Sequence, residues 1–439
     1  MSRPRVAVVG GGLAGITAAL AAADRGMDVT LFEHRRTLGG RTWSFERDGR
    51  SFDNGQHVFM RCCTRYLALL DRLGARDLVH LQDRLDVAVI APGGKVHHLR
   101  RSALPAPTQL GPALAAYGHL PWRARLEAAK VSLALRRLDL RDPALDGQTF
   151  GDWLRARGVG RDAVAGLWDV ICRPTVNQPA DDASLALAAK VFKTGLLERR
   201  DGADIGWATV PLGRLHGEVP AAALEAAGVD LQLGAKVYEI DGLSVRTASD
   251  RTTADAVVVA VTPDVAARLV PEAGIDAVAL GTSPIVNVHV VYDRRVTDLA
   301  FAAGLDSPVE YVFDRSDSSG VDPGQQCLAV SLSAAEQWVG APVDELIDGF
   351  VDELAALFPA ASGARVLDAV VTREQRATFS GRPGTGAHRP GPVTSRAGMF
   401  LAGDWTATGW PATMEGAVRS GESAAVAVAA HLARVPVAA

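Results

Sequence analysis

A strand, a glycine-rich turn, a helix and a second strand open the chain, and this order restricts its fold more than any other feature. The apolar segment Arg5–Val9 leads into the turn Gly10–Gly15, and a second apolar segment, Asp28–Glu33, ends on a carboxylate. In such a turn the first glycine permits a sharp exit from the strand, the second lets the backbone approach a pyrophosphate, and the third lets helix and strand pack closely. The helix N-terminus then directs free N–H groups towards the phosphates. We therefore predict a dinucleotide-binding βαβ unit, with a purely structural glycine turn as the alternative.

The residues behind this unit bear on which dinucleotide binds. Glu33 can accept hydrogen bonds from ribose hydroxyls and would repel a 2′-phosphate, so NADP is disfavoured while FAD and NAD both remain. Gly39-Gly40-Arg41 favours FAD, because a flavoprotein can hold such a loop against the diphosphate with Arg41 as a positive charge; an exposed loop arginine is the alternative. Near the other end, the apolar run Phe400–Ala402 leads into Gly403-Asp404. The two ends are therefore predicted to complete one FAD site.

Length and composition restrict the class of protein. A chain of 439 residues, 48% hydrophobic and 22% charged, indicates a globular protein of two or three domains. The net charge of -4 gives no general attraction to nucleic acid. The four cysteines lack CxxC or metal-ligand spacing, so we expect reduced, buried thiols and no metal site. The first strand leaves no room for a secretory signal and no apolar run approaches the ~20 residues of a spanning helix, so we expect a cytoplasmic protein.

The pattern of apolar residues predicts an α/β protein in which one domain is built from separate segments. We expect a Rossmann-like FAD-binding domain, an inserted substrate domain with a mixed sheet, and a helical subdomain. Residues 80–205 are predicted to be mostly helical, and 382–392 have the Pro/Gly-rich composition of a linker. The expected parts are 1–79, 206–280 and 386–439 for the FAD domain, 80–205 for the helical substrate- or membrane-facing part, and 281–385 for the sheet of the substrate domain.

Several short motifs together match one superfamily. In combination they resemble the flavin amine oxidases and phytoene desaturases over nearly the whole chain, which implies the amine oxidase type of FAD-binding fold. The motifs are Gly10–Gly15, Glu33, Gly39-Gly40-Arg41, Asp53-x-Gly55-x-His57 and Gly403-Asp404 with Glu415-Gly416-Ala417. Longer stretches resemble one branch, the squalene-associated FAD-dependent desaturases, to which the hydroxysqualene dehydroxylases of the bacterial squalene and hopanoid route belong. These stretches are Asp53–Phe59, Leu167-Trp168-Asp169, Asn177-Gln178-Pro179 and Gly409–Ala417.

The resemblance implies FAD as the cofactor and assigns contacts residue by residue. Glu33 would hold the adenosine ribose, and Val237, in a strand predicted over 236–240, would present its backbone to the adenine. The helix that begins at Met414 would direct its N–H groups at the ring and stabilise negative charge there. The diphosphate contacts would be Gly10, Gly12, Leu13, Ala14, Gly15, Gly40 and Arg41, with Gly403 and Asp404 at the ribityl or phosphate region. The contacts near the isoalloxazine ring would be Gly55, Gln56, His57, Met414 and Ala417.

Some residues depart from the pattern of the amine oxidases. Thr413 stands where these enzymes often carry an aromatic residue, and the strand predicted over 285–292 has no lysine to bind flavin N5 through water. Both departures argue against amine oxidation. No cysteine lies near the C-terminal stretch, so a cysteinyl-flavin bond is not expected there, and the single glycine fingerprint predicts no built-in NAD(P)H domain.

The closer likeness implies reductive dehydroxylation of hydroxysqualene to squalene by hydride from reduced flavin N5, with an external electron donor that the sequence does not identify. The substrate would be a long, apolar isoprenoid, and the departing hydroxyl requires a proton. His57 and Arg173 are the candidate donors, because the motifs place them near the ring or the helical part; a structural role is the alternative for each. The rival functions are a phytoene-type carotenoid desaturase, an amine oxidase and a non-catalytic prenyl-binding protein.

One segment departs from the average charge. Residues 95–141 contain nine basic residues and only two acidic ones, Glu127 and Asp139. A helix predicted over 121–138 has a basic and an apolar face, so we expect peripheral contact with the inner face of the membrane. The alternative is a helix packed on its own domain with a solvated charged face. The apolar face comprises Trp122, Leu126, Ala129 and Leu133, and the basic face comprises Arg123, Lys130 and Arg137.

Overall fold

A parallel sheet of five strands forms the centre of the first domain. The structure is a computed structural model that describes residues 3–434. All neighbouring strands in this sheet are parallel, and the central ones are continuous apolar runs, as is usual for strands covered on both faces. The sheet joins the beginning, the middle and the end of the chain. In spatial order its strands are Asp230–Leu233, Asp28–Glu33, Arg5–Val9, Ala256–Val259 and Met399–Leu401.

Two helices from opposite ends of the chain pack together on this sheet. Leu13–Ala23 follows the first strand and Met414–Leu432 follows the last. Gly421 makes their contact possible, because a Cβ at this position would lie 2.3 Å from the Ala14 carbonyl oxygen and 2.9 Å from Thr17 Cβ. Parallel strands end at the same edge of a sheet, so both predicted cofactor motifs lie at that edge.

A mixed sheet of seven strands forms the second domain. Helix Val343–Leu357 covers one face and buries Leu346, Phe350 and Leu354 against it. The strand pairs are antiparallel except that Phe301–Gly304 runs parallel to Asp86–Ala91. In spatial order the strands are Val366–Thr378, Ser283–Tyr292, Gln326–Ser333, Tyr311–Asp314, Phe301–Gly304, Asp86–Ala91 and Lys95–Arg100.

The last two strands correct the prediction that 80–205 is mostly helical. Asp86–Ala91 and Lys95–Arg100 form a hairpin across Gly93 and Gly94, which both have positive φ. The apolar run of the first strand is too short to distinguish a strand from a buried helix by period alone. Its pairing with Phe301–Gly304, about 210 residues further on, decides the outcome.

The rest of 80–205 forms a helical layer over the inner face of the mixed sheet. Wide π-type turns interrupt the layer at Val164–Trp168 and Phe192–Leu197. The helices are Gly111–Ala116, Trp122–Arg136, Phe150–Arg155, Arg161–Ala163, Asp169–Val176 and Leu185–Val191. Shorter elements surround the parallel sheet: helices Thr64–Arg72, Val219–Ala226, Pro263–Leu269 and Ala277–Leu280, and strands Ser44–Arg47, Arg50–Asp53, Val58–Met60, Val79–Leu81, Ile205–Ala208, Glu239–Asp241, Ser244–Arg246 and Arg251–Thr253.

Two smaller predictions also need correction. The strand predicted over 236–240 begins only at Glu239, so Val237 lies in the buried, irregular segment before it. The segment 382–392 is not a free linker, because Gly384 and Gly386 donate backbone N–H groups to Asp146 of the helical layer. Between residues 3 and 434 no helix has both the length and the hydropathy needed to cross a bilayer.

Candidate flavin-binding site

The two glycine turns meet at the end of the first strand. Gly10 has φ +111°, and a Cβ at Gly15 would lie 1.9 Å from the Gly10 carbonyl oxygen. A Cβ at Gly40 would lie 2.8 Å from Gly12 Cα, so the second turn approaches the first with backbone alone. Leu13 begins the helix behind them. The result is a side-chain-free cradle at a helix N-terminus, which fits a diphosphate.

Glu33 lies directly beneath this cradle. Its carboxylate is buried and accepts the backbone N–H groups of Gly11 at 2.7 Å and Arg35 at 2.8 Å. His34 Nδ1 also lies 2.7 Å from it. The acid is thus held at the position from which it could reach a ribose, and the ribose contact itself stays a prediction.

Arg41 and Asp404 bring the two ends of the chain into contact. Arg41 Nη1 lies 3.3 Å from Asp404 Oδ2, across 363 residues of sequence. Both side chains are only partly exposed. A guanidinium beside the glycine cradle fits the anionic phosphates of FAD. A carboxylate there fits its hydroxyl groups, which can donate hydrogen bonds.

The loop Asn54–His57 is attached to both domains. Asn54 donates through Nδ2 to the Arg41 carbonyl oxygen and to Glu374 Oε1, both at 2.9 Å. His57 Nδ1 donates to the Gly55 carbonyl oxygen at 3.1 Å. Burial lowers the pKa of His57, so its ring is neutral near pH 7 and is a poor proton donor.

Several buried polar atoms near this loop have no partner within the described part of the protein, and three of them bear on the cofactor. They are Gln56 Nε2, Asn287 Oδ1 and His216 Nδ1. The Asn287 side chain lies against Gly55, where a Cβ would be 3.4 Å from its Nδ2. An unpaired buried polar group costs about 1–3 kcal/mol, so such atoms favour a ligand with hydrogen-bonding edges. An isoalloxazine ring has such edges, and these residues therefore fit FAD.

The last helix begins beside this region. Thr413 Oγ1 caps it by accepting the Gly416 N–H at 3.1 Å. Met414 and Ala417, three residues apart, lie on one helical face and are half-buried. The position at which amine oxidases often carry an aromatic residue is therefore occupied by a helix cap. The contacts of Met414 and Ala417 with the flavin ring stay a prediction.

Sequence reasoning missed Arg389. Its guanidinium is buried and donates to the carbonyl oxygens of Asp404 at 3.0 Å and Thr406 at 2.6 Å, and to Thr408 Oγ1 at 3.2 Å. It also stacks on Phe379, 4.6 Å from the ring centroid. Burial lowers its pKa to about 10, which leaves it charged at neutral pH. Arg389 therefore holds the loop that carries Asp404, and no periodic signal in the sequence identifies it.

Arg173 is not suited to be an acid, but its partner is. Arg173 Nη1 lies 3.3 Å from Glu310 Oε1, and Ser333 N–H donates to Glu310 Oε2 at 2.7 Å. A guanidinium does not release its proton in proteins. Burial raises the pKa of Glu310 to about 7, against the opposing effect of Arg173. Glu310 is thus the group of this pair that can exchange a proton at neutral pH.

A row of aromatic rings begins beside the loop Asn54–His57. Trp207 and Phe313 border a small cavity beside His57. Trp207 and Phe301 have ring centroids 5.6 Å apart, Phe301 and Phe313 5.8 Å, and Phe313 and Tyr311 6.0 Å. Tyr311 follows Glu310 in the chain. The inner face of the mixed sheet therefore carries an aromatic wall that runs from the cavity beside His57 to Tyr311.

Comparison with known proteins identifies the family. The family described as flavin containing amine oxidoreductase matches residues 13–429. The chain belongs to this family. It is an FAD-dependent oxidoreductase, and the predictions of an α/β flavoprotein fold, of FAD and of enzymatic activity are confirmed.

The relatives include enzymes of isoprenoid metabolism. The hydroxysqualene dehydroxylase of Rhodopseudomonas palustris is 28% identical over 455 residues, which cover 96% of this chain and 97% of the relative. The 15-cis-phytoene desaturase of Synechococcus elongatus is 25% identical over 466 residues, covering 97% and 96%. Among solved structures, cyclohexylamine oxidase from Brevibacterium oxydans has a TM-score of 0.74 at 22% identity and covers 99% of this chain and 100% of its own. The last likeness concerns the fold alone.

Proposed function

We propose that the enzyme reduces hydroxysqualene to squalene. The observation that carries the proposal is the end-to-end likeness to a hydroxysqualene dehydroxylase, joined by the stretches around Asn54, Trp168 and Trp410. Two side chains of the site support it against amine oxidation. Thr413 is a helix cap, and the buried strand Ser283–Tyr292 presents Asn287 towards Gly55 and contains no lysine.

The reaction replaces an allylic hydroxyl by hydrogen. The hydroxyl takes a proton and leaves as water, and the resulting allylic cation accepts a hydride, so that ROH, a proton and a hydride give RH and water. When bound in its reduced form, FAD supplies that hydride, and an external donor must reduce it again. The protein has to orient the substrate, exclude water and provide the proton.

The aromatic row is suited to orienting the substrate and excluding water. The face of an aromatic ring stabilises a nearby positive charge through the quadrupole of the ring. Phe301 and Phe313 are buried, so the wall presents an apolar surface to a long hydrocarbon. An allylic cation held beside Phe313 would be shielded from water and oriented along the sheet.

We propose Glu310 as the proton donor, in place of His57 and Arg173. Its neighbour in the chain, Tyr311, ends the aromatic row, and the Glu310 carboxyl is largely shielded from solvent. Arg173 and the Ser333 N–H fix its orientation. After donation, the charge of Arg173 stabilises the carboxylate that remains.

The test is incubation of the purified holoenzyme with hydroxysqualene and reduced flavin without oxygen, with squalene measured by mass spectrometry. We expect squalene to form together with reoxidation of the flavin. Formation of no squalene, with peroxide released from a panel of amines, would contradict the proposal. A colourless protein that does not bind FAD would support the non-catalytic prenyl-binding alternative instead.

A phytoene-type carotenoid desaturase is the second candidate, because the Synechococcus relative covers the chain equally well. The same aromatic wall would suit a polyene. Incubation with phytoene and oxidised flavin separates the two, since a desaturase reduces its flavin with phytoene whereas a dehydroxylase oxidises it with hydroxysqualene.

We further propose that the enzyme works in the cytoplasm at the inner face of the membrane, with residues 95–141 in contact with it. An isoprenoid substrate of either candidate dissolves in the bilayer rather than in water.

A further inference from the structure

One helix exposes an apolar stripe to solvent. Trp122, Leu126 and Leu133 of helix Trp122–Arg136 are 64%, 55% and 48% exposed. The other large exposed hydrophobic residues in 3–434 lie singly on separate elements. Isolated exposed hydrophobic residues are ordinary, whereas a stripe along one helix marks an interaction surface.

The opposite side of the same helix accounts for its attachment to the protein. Ala128, Val131 and Leu135 are buried in the core of the helical layer. With 100° between successive residues, the exposed stripe covers an arc of roughly 40° and lies roughly opposite this buried face. The buried face alone therefore attaches the helix to the protein. The exposed stripe does not contribute to the packing of the described residues.

Basic residues flank the stripe on both sides. Arg123, Lys130 and Arg137 lie on one flank, and Arg125 and Arg136 lie on the other. None of these five is within ion-pairing distance of a carboxylate in the part of the chain that the structure describes. Arg125 instead donates to the carbonyl oxygens of Leu120 and Ala115.

The acidic residues of the segment do not offset this charge. Glu127 is half-buried and lies between the flank of Arg123 and Lys130 and the buried face of the helix. Asp139 lies beyond the helix and pairs with Arg141. The outward surface therefore combines apolar side chains with unopposed positive charge.

The stripe also lies close to the candidate flavin site. The π-type turn Phe192–Leu197 packs beside the helix, and Lys193 Nζ donates to the Leu138 carbonyl oxygen at 2.7 Å. On its other side this turn contacts the strand that follows His57, since a Cβ at Gly195 would lie 3.3 Å from Met60 Sδ. One layer of structure separates the exposed surface from the loop Asn54–His57.

We propose that this face of helix Trp122–Arg136 docks on the surface of an anionic phospholipid bilayer. Trp122, Leu126 and Leu133 enter the boundary between headgroups and acyl chains, and the flanking basic residues bind the anionic headgroups. The charge pattern favours this occupant over a second copy of the chain, because two such faces would repel each other. The inference deepens the proposed function, since it names the surface from which a lipid-dissolved substrate would enter.

The test uses holoenzyme and substrate-free vesicles of phosphatidylcholine, alone or with phosphatidylglycerol, in a sedimentation assay. We expect binding to the mixed vesicles only, and weaker binding as the salt concentration rises. The variant R123Q/K130Q/R137Q should bind about 100-fold more weakly. The variant W122S/L126S/L133S should lose binding while retaining its thermal unfolding temperature, because the buried face is unchanged.

Control variants remove exposed groups of the same two kinds elsewhere. R246Q/R251Q/R376Q removes three charges from other surfaces, and V278S/V426S removes two exposed apolar side chains; both should bind as the parent does. Equal binding by all variants would overturn the proposal, as would self-association that the serine variant abolishes. Turnover of detergent-dispersed hydroxysqualene is measured separately, so a failure of the proposed reaction is distinguishable from a failure of docking.

Discussion

Arg389 carries a positive charge into the interior beside the loop that holds Asp404. Within the described chain it has no carboxylate partner at ion-pairing distance, and carbonyl and hydroxyl oxygens replace water around it. Hydrogen bonds to a charged group contribute about 1.5–3 kcal/mol each. Arg389 is therefore a positioning residue for the C-terminal half of the cofactor site, acting through the backbone of Asp404 and Thr406.

Replacement of Arg389 by methionine should loosen this loop. We expect FAD affinity to fall by about tenfold to a hundredfold, because Asp404 loses its fixed orientation; each factor of ten corresponds to about 1.4 kcal/mol. Equilibrium titration with FAD measures the loss, and the visible spectrum should shift towards that of free flavin. Added guanidinium ion should partly restore binding. Arg376→Met is the control, since Arg376 is exposed; equal effects at both positions would contradict this role.

Glu310 should give the reaction its dependence on pH. Its pKa is raised to about 7 by burial, so the proton donor is present below pH 7 and is lost as the pH rises above it. We expect kcat to fall above pH 7. Glu310→Gln should remove this limb and lower kcat by roughly a hundredfold, the usual contribution of a general acid.

Arg173→Met is the complementary variant. Removal of the guanidinium removes an influence that lowers the pKa of Glu310, so the falling limb should move to higher pH. A limb that stays in place in both variants would assign the titration to another group.

At the scale of elements, the contact between the first and last helices decides how the two halves of the site meet. Gly421 lies against the backbone of Ala14, in the first turn after the glycine cradle. Any added side chain there must displace one helix from the other. The displacement would separate the cradle from the N-terminus of helix Met414–Leu432, where the flavin ring is expected.

Gly421→Val should therefore be destabilising and should weaken FAD binding. Inserting atoms into a packed contact costs about 1–3 kcal/mol, and the free energy of unfolding from urea titration measures this loss. Gly349→Ala is the matched control, because Gly349 is also helical and a Cβ there meets nothing within 4 Å. The control should gain about 0.5–1 kcal/mol. A Gly421 variant as stable as the parent would show that the helices do not pack as described.

At the scale of the molecule, the FAD domain is assembled from three distant parts of the chain. Its central sheet combines strands from the beginning, the middle and the end of the chain. FAD would contact the first and last of these parts at once, through the glycine cradle and the turn at Asp404. Binding to the folded state alone stabilises a protein by mass action.

FAD should accordingly raise the unfolding temperature of the apoprotein. At a free concentration one hundred times the dissociation constant, the expected stabilisation is about 2.7 kcal/mol. Calorimetry with and without FAD measures it. Arg41→Met should reduce the shift at a given FAD concentration, because it removes the positive charge that faces Asp404 and the cradle. An unchanged shift would indicate that Arg41 does not take part in FAD binding.

The cofactor unit was predictable because its signals are local. Gly10, Gly15 and Glu33 lie within one βαβ unit, and their spacing follows from the geometry of a strand, a turn and a helix. Asn287 could also have been found, since Asn287 and His289, at i and i+2, interrupt the apolar run that begins at Pro284. The hairpin at 86–100 could not be predicted from the sequence, because the structure of a short apolar run depends on distant segments that pair with it.

The amino-acid sequence by itself determined the dinucleotide unit, the preference for FAD and the amphipathic pattern of the helix at Trp122. Only the tertiary structure decided which side of that helix is buried. Val131 and Leu126 are both apolar, yet Val131 is buried and Leu126 is exposed. The tertiary structure alone placed Arg389 behind Asp404. It also placed Glu310 beside Arg173, although 137 residues separate the two in the chain. Local propensities act over a few residues, whereas burial, ion pairing and the pKa of Glu310 depend on which distant segments pack together.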